Sequence, residues 1–237
     1  MSRRGLTILE LMVVVAIIAV LIGLFAGVVI GARRSANTAV CASNLRQLGH
    51  GMRMYADDNR GLVLRAPGFL SPPTADVMTD HYMSWAEGYA RYLDPAWTQQ
   101  GMSVRGFNLS KCPEHPMPWA ESNFVVNAVA LREGQPRRFG PLKFSLLSQI
   151  VNPAGVPYLV DSADQFRPNP MHPGMDFTLV IFAHTLYSEL QLPNRSHTTV
   201  AASRHGEGFI NSLFFDGHVQ LITTKGMTLS LFDDGIR

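Results

Sequence analysis

The chain has 237 residues, 46% of them apolar, and carries a net charge of +2 from 20 basic and 18 acidic side chains. That length holds a membrane segment and one globular domain of ordinary size, but not two domains beside an anchor. Its apolar content excludes a disordered chain, and so small a net charge gives no basic patch that would make nucleic acid an obligatory partner.

The first element is the apolar run from Leu6 to Ile30. At about 1.5 Å per residue a helix of this length crosses a hydrocarbon core of roughly 30 Å. Ser2-Arg3-Arg4 forms a short basic leader that the positive-inside tendency keeps in the cytoplasm, sending the C-terminal bulk across, while Arg33 and Arg34 weigh the other way. A secretory signal peptide has an apolar stretch of about 7 to 15 residues before a small-residue cut, and this run is longer. Glu10 sits inside it, where an isolated carboxylate costs on the order of a few kcal/mol and needs a partner. Gly23, Gly27 and Gly31 recur at four-residue spacing, a ridge that lets helix backbones approach closely, although glycine is also common in membrane helices generally.

The junction Arg3-Arg4-Gly5-Leu6-Thr7-Ile8-Leu9-Glu10-Leu11 resembles that of type IV prepilins and type II secretion pseudopilins: a basic leader, Gly before the cut, an apolar first mature residue, and Glu fifth in the mature chain. The resemblance implies that a prepilin peptidase cuts after Gly5 and N-methylates the new terminus at Leu6. It implies assembly with copies of the chain or related pilins on a secretion or pilus platform, in the cytoplasmic (inner) membrane, with a single pass and the globular domain on the periplasmic or extracellular side. Cutting there creates an amine in the low-dielectric region that holds Glu10, and pairing between neighbouring subunits converts a costly carboxylate into a device that sets axial register. The competing reading is that Glu10 snorkels to the interface near the helix start.

The helix is predicted to continue to about Asp58, because Arg33 to Asp58 has no proline and places Ala36, Val40, Leu45, Leu48, Met52 and Tyr55 near a helical period. Arg46, Gln47, His50, Arg53 and Asp57 form its polar back. Asp57-Asp58-Asn59-Arg60-Gly61 supplies the stop, with Asn59 or Gly61 suited to a left-handed cap. The chain thus divides into a leader at 1–5, a helix over 6–60 whose span is 6–30, and a globular domain over 61–237. Within that domain Ser84-Trp85 to Leu93 reads as a short helix. Ser122 to Asn127, Tyr158 to Asp161 and Thr178 to Phe182 read as strands, and Leu146 to Ile150 as a short helix or turn ended by Asn152-Pro153.

Cys41 and Cys112 are the two cysteines, and neither belongs to a CxxC pair, which argues against a zinc site built on thiolates. A disulfide between them is open if the domain lies outside the cytoplasm; the other reading is two buried thiols acting as small apolar residues.

Asn211 to Ile222 reads as a β-hairpin: an apolar strand, an Asp216-Gly217 turn of type I′ preference, and an alternating return strand. With His205 ahead of it, the segment resembles the pilin-like proteins called prepilin-type processing-associated, whose pattern is His, nine residues, then Asp-Gly. Here ten residues separate His205 from Asp216. Cys41 to Gly49, Met54-Tyr55, Asn59-Arg60-Gly61, Lys111-Cys112-Pro113 and Gln149 to Asp161 also resemble that family; residues 62–141 match it least. The resemblance implies an α+β, pilin-like fold, with a long N-terminal helix, transmembrane and then amphipathic, packed on an antiparallel β-sheet, and a structural subunit rather than an enzyme.

Three rival functions remain. A hydrolase could draw on His205, Asp216, His218, Asp161 and Asp164, but no nucleophile elbow, HExxH or phosphate loop accompanies them. Calcium could bind Asp161, Asp164 and Asp216, as it holds a C-terminal loop in some resembling pseudopilins; the alternative is exposed turn carboxylates and no cofactor. A membrane-anchored domain that does not polymerise differs from the filament subunit only in stoichiometry, so Glu10 discriminates between them.

Overall fold

The computed structural model describes residues 8–65, 68–69, 82–83, 85–94, 96, 107–116, 122–127, 129, 131–132, 135–136, 144–163, 185–186, 192–193 and 200–235. The cleavage junction at Gly5-Leu6, the expected strand at Thr178 to Phe182, and Asp164 lie outside the described residues.

Helix α1, Ile8–Asp58, runs unbroken for 51 residues, as the long proline-free sequence predicts. Its end is tied by the Gly61 N–H donating to the Ala56 carbonyl at 2.7 Å and by Asn59 Nδ2 donating to the Tyr55 carbonyl at 2.8 Å. The left-handed cap takes two residues, Arg60 at φ 58° and Gly61 at φ 81°; the non-glycine member was not expected, and Asn59 supplies a side-chain bond instead.

The buried face of α1 begins at Cys41, five residues later than the sequence period suggests. Cys41, Leu45, Leu48, Met52 and Ala56 are buried, whereas Ala36 and Val40 are exposed and Tyr55 is half-buried. The phase is set by Cys41, a small side chain that enters the core, while Ala36 lies before the globular domain begins to cover the helix. Arg46, Gln47, His50, Arg53 and Asp57 face solvent as expected.

Helix α2, Trp85–Leu93, packs on α1. Gly51 permits the approach, since a Cβ there would stand 2.7 Å from a Leu93 methyl. Strand β1, Leu62–Leu64, pairs antiparallel with β7, Phe144–Leu146, and a 3-10 turn follows at Leu147–Gln149. Two-residue pairs form between β2, Gly68–Phe69, and β3, Tyr82–Met83, and between β5, Leu131–Arg132, and β6, Gln135–Pro136.

The main sheet has five strands in the order β11, β10, β8, β4, β9. These are β4, Phe124–Asn127; β8, Pro157–Asp161; β9, Thr185–Leu186; β10, Phe209–Phe214; and β11, Val219–Thr223. All pairings are antiparallel except β4 with β9, which is parallel. Strands β4 and β8 are buried throughout because both faces of the sheet are covered. Phe124, Val126, Tyr158 and Leu213 join Leu45, Leu48 and Met52 in the core under α1. Val125, Val160 and Ile210 face the opposite way, onto Val200, Leu229 and Phe232.

A buried arginine, missed in the sequence, ties the two sides together. Arg65 is fully buried, and its five N–H groups go to the Asn127 carbonyl (2.8 Å), Asn127 Oδ1 (3.0 Å), the Val129 carbonyl (2.9 Å), Ser145 Oγ (3.1 Å) and the Asp234 carboxylate. Asn127 in turn donates to the Pro157 and Phe232 carbonyls at 2.8 and 3.0 Å. Complete pairing is what makes a buried ion tolerable.

The hairpin loop differs from the expected two-residue type I′ turn. The Phe214 N–H donates to the His218 carbonyl and the Gly217 N–H to the Phe214 carbonyl, both at 2.9 Å, and of the turn residues only Gly217 has positive φ, at 91°. This is a three-residue loop with a left-handed glycine at its end. Type I′ geometry needs positive φ at Asp216 as well, and the Asp216 carboxylate instead accepts the His218 N–H at 3.0 Å.

Candidate functional site

Two parts of the molecule carry unusual chemistry. The first is the outer half of α1. Residues 8–36 are exposed throughout, among them Ile18, Leu21, Phe25 and Val29, and an added Cβ on Gly23, Gly27 or Gly31 would meet nothing within 4 Å. The segment is long and apolar enough to cross a membrane, and Glu10 lies in its first turn. A bare apolar rod of this size needs lipid or other protein around it.

The second part lies where α1 first meets the domain. Cys41 from α1, Cys112 from the loop before β4, Asp161 from the end of β8 and His205 from the loop before β10 bring one sulfur, nitrogen or oxygen atom each to within 4.8 Å of one another. Cys41 Sγ is 3.5 Å from Asp161 Oδ1, Cys112 Sγ is 3.5 Å from His205 Nε2, and His205 Nε2 is 3.3 Å from Asp161 Oδ2. The His205 and Asp161 side chains are fully buried, and the two sulfurs are not bonded to each other.

Each member is held by its neighbours. Asn44, one turn after Cys41, donates to the Lys111 carbonyl at 2.9 Å, and the Cys112 N–H donates to Asn123 Oδ1 at 2.9 Å. The Asn211 N–H donates to Asp161 Oδ2 at 2.7 Å. The N–H groups of Arg204 and His205 both reach the Phe209 carbonyl, at 3.0 and 3.1 Å, closing the loop that carries the imidazole. Thr38 Oγ1 gives its proton to the Arg34 carbonyl at 2.9 Å, so at 3.2 Å it accepts from His205 Nδ1–H and leaves Nε2 facing the cluster.

The electrostatics are those of tightly coupled groups. Burial favours neutral His205, but hydrogen bonds to Asp161 and Cys112 outweigh it and raise the imidazole to about 9. Hydrogen bonding from Cys41 is the main cause that lowers Cys112 to about 7, with burial opposing. Burial, reinforced by Cys112 and Asp161, pushes the Cys41 thiol far up.

The sequence candidates separate accordingly. His205 and Asp161 come together, and so do Cys41 and Cys112, but Asp216 stands elsewhere. Its carboxylate pairs with His218 Nδ1 at 2.6 Å, and its carbonyl accepts from Arg53. Arg53 is twelve residues beyond Cys41, about 18 Å along the helix, and His205 and Asp216 lie at opposite ends of β10. Asp161 and Asp216 are too far apart to share one calcium ion. Among the described residues Asp161, His205 and Cys112 do not form a hydrolytic triad: Asp161 and Cys112 both face Nε2, whereas a triad needs the acid on one ring nitrogen and the nucleophile on the other. A missing CxxC pair speaks only against thiolate ligands close in sequence, and these four side chains come from separate elements.

A membrane-length N-terminal helix whose inner half packs on a largely antiparallel sheet defines an α+β, pilin-like protein. The prokaryotic N-terminal methylation motif, the prepilin-type signal, matches residues 1–26. The chain thus carries a prepilin-type N-terminal signal on a helix long and apolar enough to anchor it in a membrane. No curated protein and no solved structure matches it.

Proposed function

We propose that the protein is a structural subunit of a type IV pilus-like or type II secretion pseudopilus filament, of the prepilin-type processing-associated kind. It is made as a precursor that prepilin peptidase cuts after Gly5 and N-methylates at Leu6. The globular domain stands on the outer side of the cytoplasmic membrane, in keeping with the basic leader, until an assembly platform draws the subunit into the filament. Glu10 then meets the new terminal amine of a neighbouring subunit and sets the axial register, and the small-residue ridge at Gly23, Gly27 and Gly31 allows close helix contact.

The observation that carries this reading is the methylation motif over residues 1–26 running into a helix that stays exposed over residues 8–36, with a carboxylate in its first turn. A membrane anchor needs the apolar surface but has no use for the acid. Changing Glu10→Ala is expected to abolish filaments while membrane insertion persists; normal filaments in that variant would leave a tethered, non-polymerising domain as the better description. Mass spectrometry of the native N-terminus is expected to find methylated Leu6, and a chain that still starts at Met1 or Ser2 contradicts processing.

A further inference from the structure

We propose that Cys41, Cys112, Asp161 and His205 form a closed tetrahedral site for one zinc-type divalent cation, which staples the inner half of α1 to the sheet. Zinc–sulfur bonds of about 2.3 Å and zinc–nitrogen or zinc–oxygen bonds of about 2.0–2.1 Å, set at tetrahedral angles, place sulfur about 3.5 Å from nitrogen or oxygen, and nitrogen about 3.3 Å from oxygen. The separations found are 3.5 Å for Cys112 to His205, 3.5 Å for Cys41 to Asp161 and 3.3 Å for His205 to Asp161. Three of the six donor–donor separations of such a tetrahedron are thus met, with Asp161 turning Oδ1 to Cys41 and Oδ2 to His205, and all four donor groups lie within 4.8 Å of one another.

The surroundings fit a metal centre as well. His205 gives its other ring nitrogen to Thr38, and Asp161 accepts the Asn211 N–H, the outer contacts that orient metal-bound imidazoles and carboxylates. Two sulfurs, one nitrogen and one oxygen suit zinc; calcium and magnesium demand oxygen ligands throughout. With four protein ligands no position stays open for substrate, so the role is structural. An open cleft of about 620 Å³ lined by Arg34, Thr38, Glu114 and His205 among others lies beside the cluster. The ligands join α1, the loop before β4, β8 and the loop before β10 at the point where α1 leaves the domain, so a bound ion stops the helix pivoting there.

The test uses the full-length protein in detergent micelles, purified without chelator. Elemental analysis is expected to find about one zinc per chain, and two titratable thiols are expected after denaturation with chelator. Replacement by Co²⁺ should give a thiolate-to-cobalt charge-transfer band and d–d bands of tetrahedral intensity. Thr38→Val keeps all four ligands and should weaken zinc binding about 10- to 100-fold; Cys112→Ser should weaken it further, and His218→Gln at the hairpin tip should not change it. Metal-free protein with no titratable thiol means a Cys41–Cys112 disulfide and overturns the proposal. So does a Co²⁺ spectrum without thiolate bands, which decides the matter even if Cys112→Ser fails to fold.

Discussion

The two halves of α1 share one backbone and have opposite fates. Residues 11–30 are apolar on every side and exposed, whereas residues 41–58 present one apolar face to the sheet and one charged face to water. The difference teaches that burial is decided by what the helix meets. Leu21 is as apolar as Leu48, yet Leu21 is 47% exposed and Leu48 is 0% exposed. The inner half draws its stability from the domain, and the outer half must find it in lipid and in other subunits.

The sharpest way to break this contrast is a matched pair of truncations. Leu48→Ala should cost about 2–5 kcal/mol in urea unfolding of the domain, while Leu21→Ala should leave the same transition unmoved. Equal effects would mean that the outer half also packs on the domain.

The glycines give a second, smaller contrast. A Cβ on Gly49 would stand 2.9 Å from a Leu213 methyl and 3.5 Å from the Gly217 carbonyl oxygen, because the hairpin lies directly on the helix there. Gly49→Val should therefore lower domain stability by about 1–3 kcal/mol. Gly27→Val meets nothing within 4 Å in the single chain, so its effect should be confined to filament yield, read by electron microscopy.

The smallest expected effect is at the hairpin tip, where the exposed Arg53 side chain donates to the Asp216 carbonyl. Arg53→Ala should cost no more than about 1 kcal/mol in the same unfolding measurement. A larger loss would show that the tip anchors the inner half as strongly as its apolar face does.

Elements whose cause is local were readable in advance. The unbroken apolar run, the lack of proline to Asp58 and the Asn59-Arg60-Gly61 stop foretold a long α1 ending at Asp58. Strands β4, β8 and β10 followed from short β-branched and aromatic stretches, and the Asp216-Gly217 pair marked the hairpin, although its loop has three residues. The helical period placed Leu45, Leu48 and Met52 in the core correctly, whereas Cys41 was missed because it was not counted among the apolar positions. Arg65 could not be read as buried, since its partners Asn127, Ser145 and Asp234 lie 62, 80 and 169 residues away.

By itself the sequence determined the membrane-length helix, the signal at its start and the placement of Glu10 within it, because each depends only on residues next to one another along the chain. The tertiary structure decided which side of α1 is covered, and that Cys41, Cys112, Asp161 and His205 share one place although Cys41 and Asp161 are 120 residues apart and Cys112 and His205 are 93 apart. Such a meeting depends on strand order and on the seating of the helix across the sheet, and no spacing along the chain encodes either.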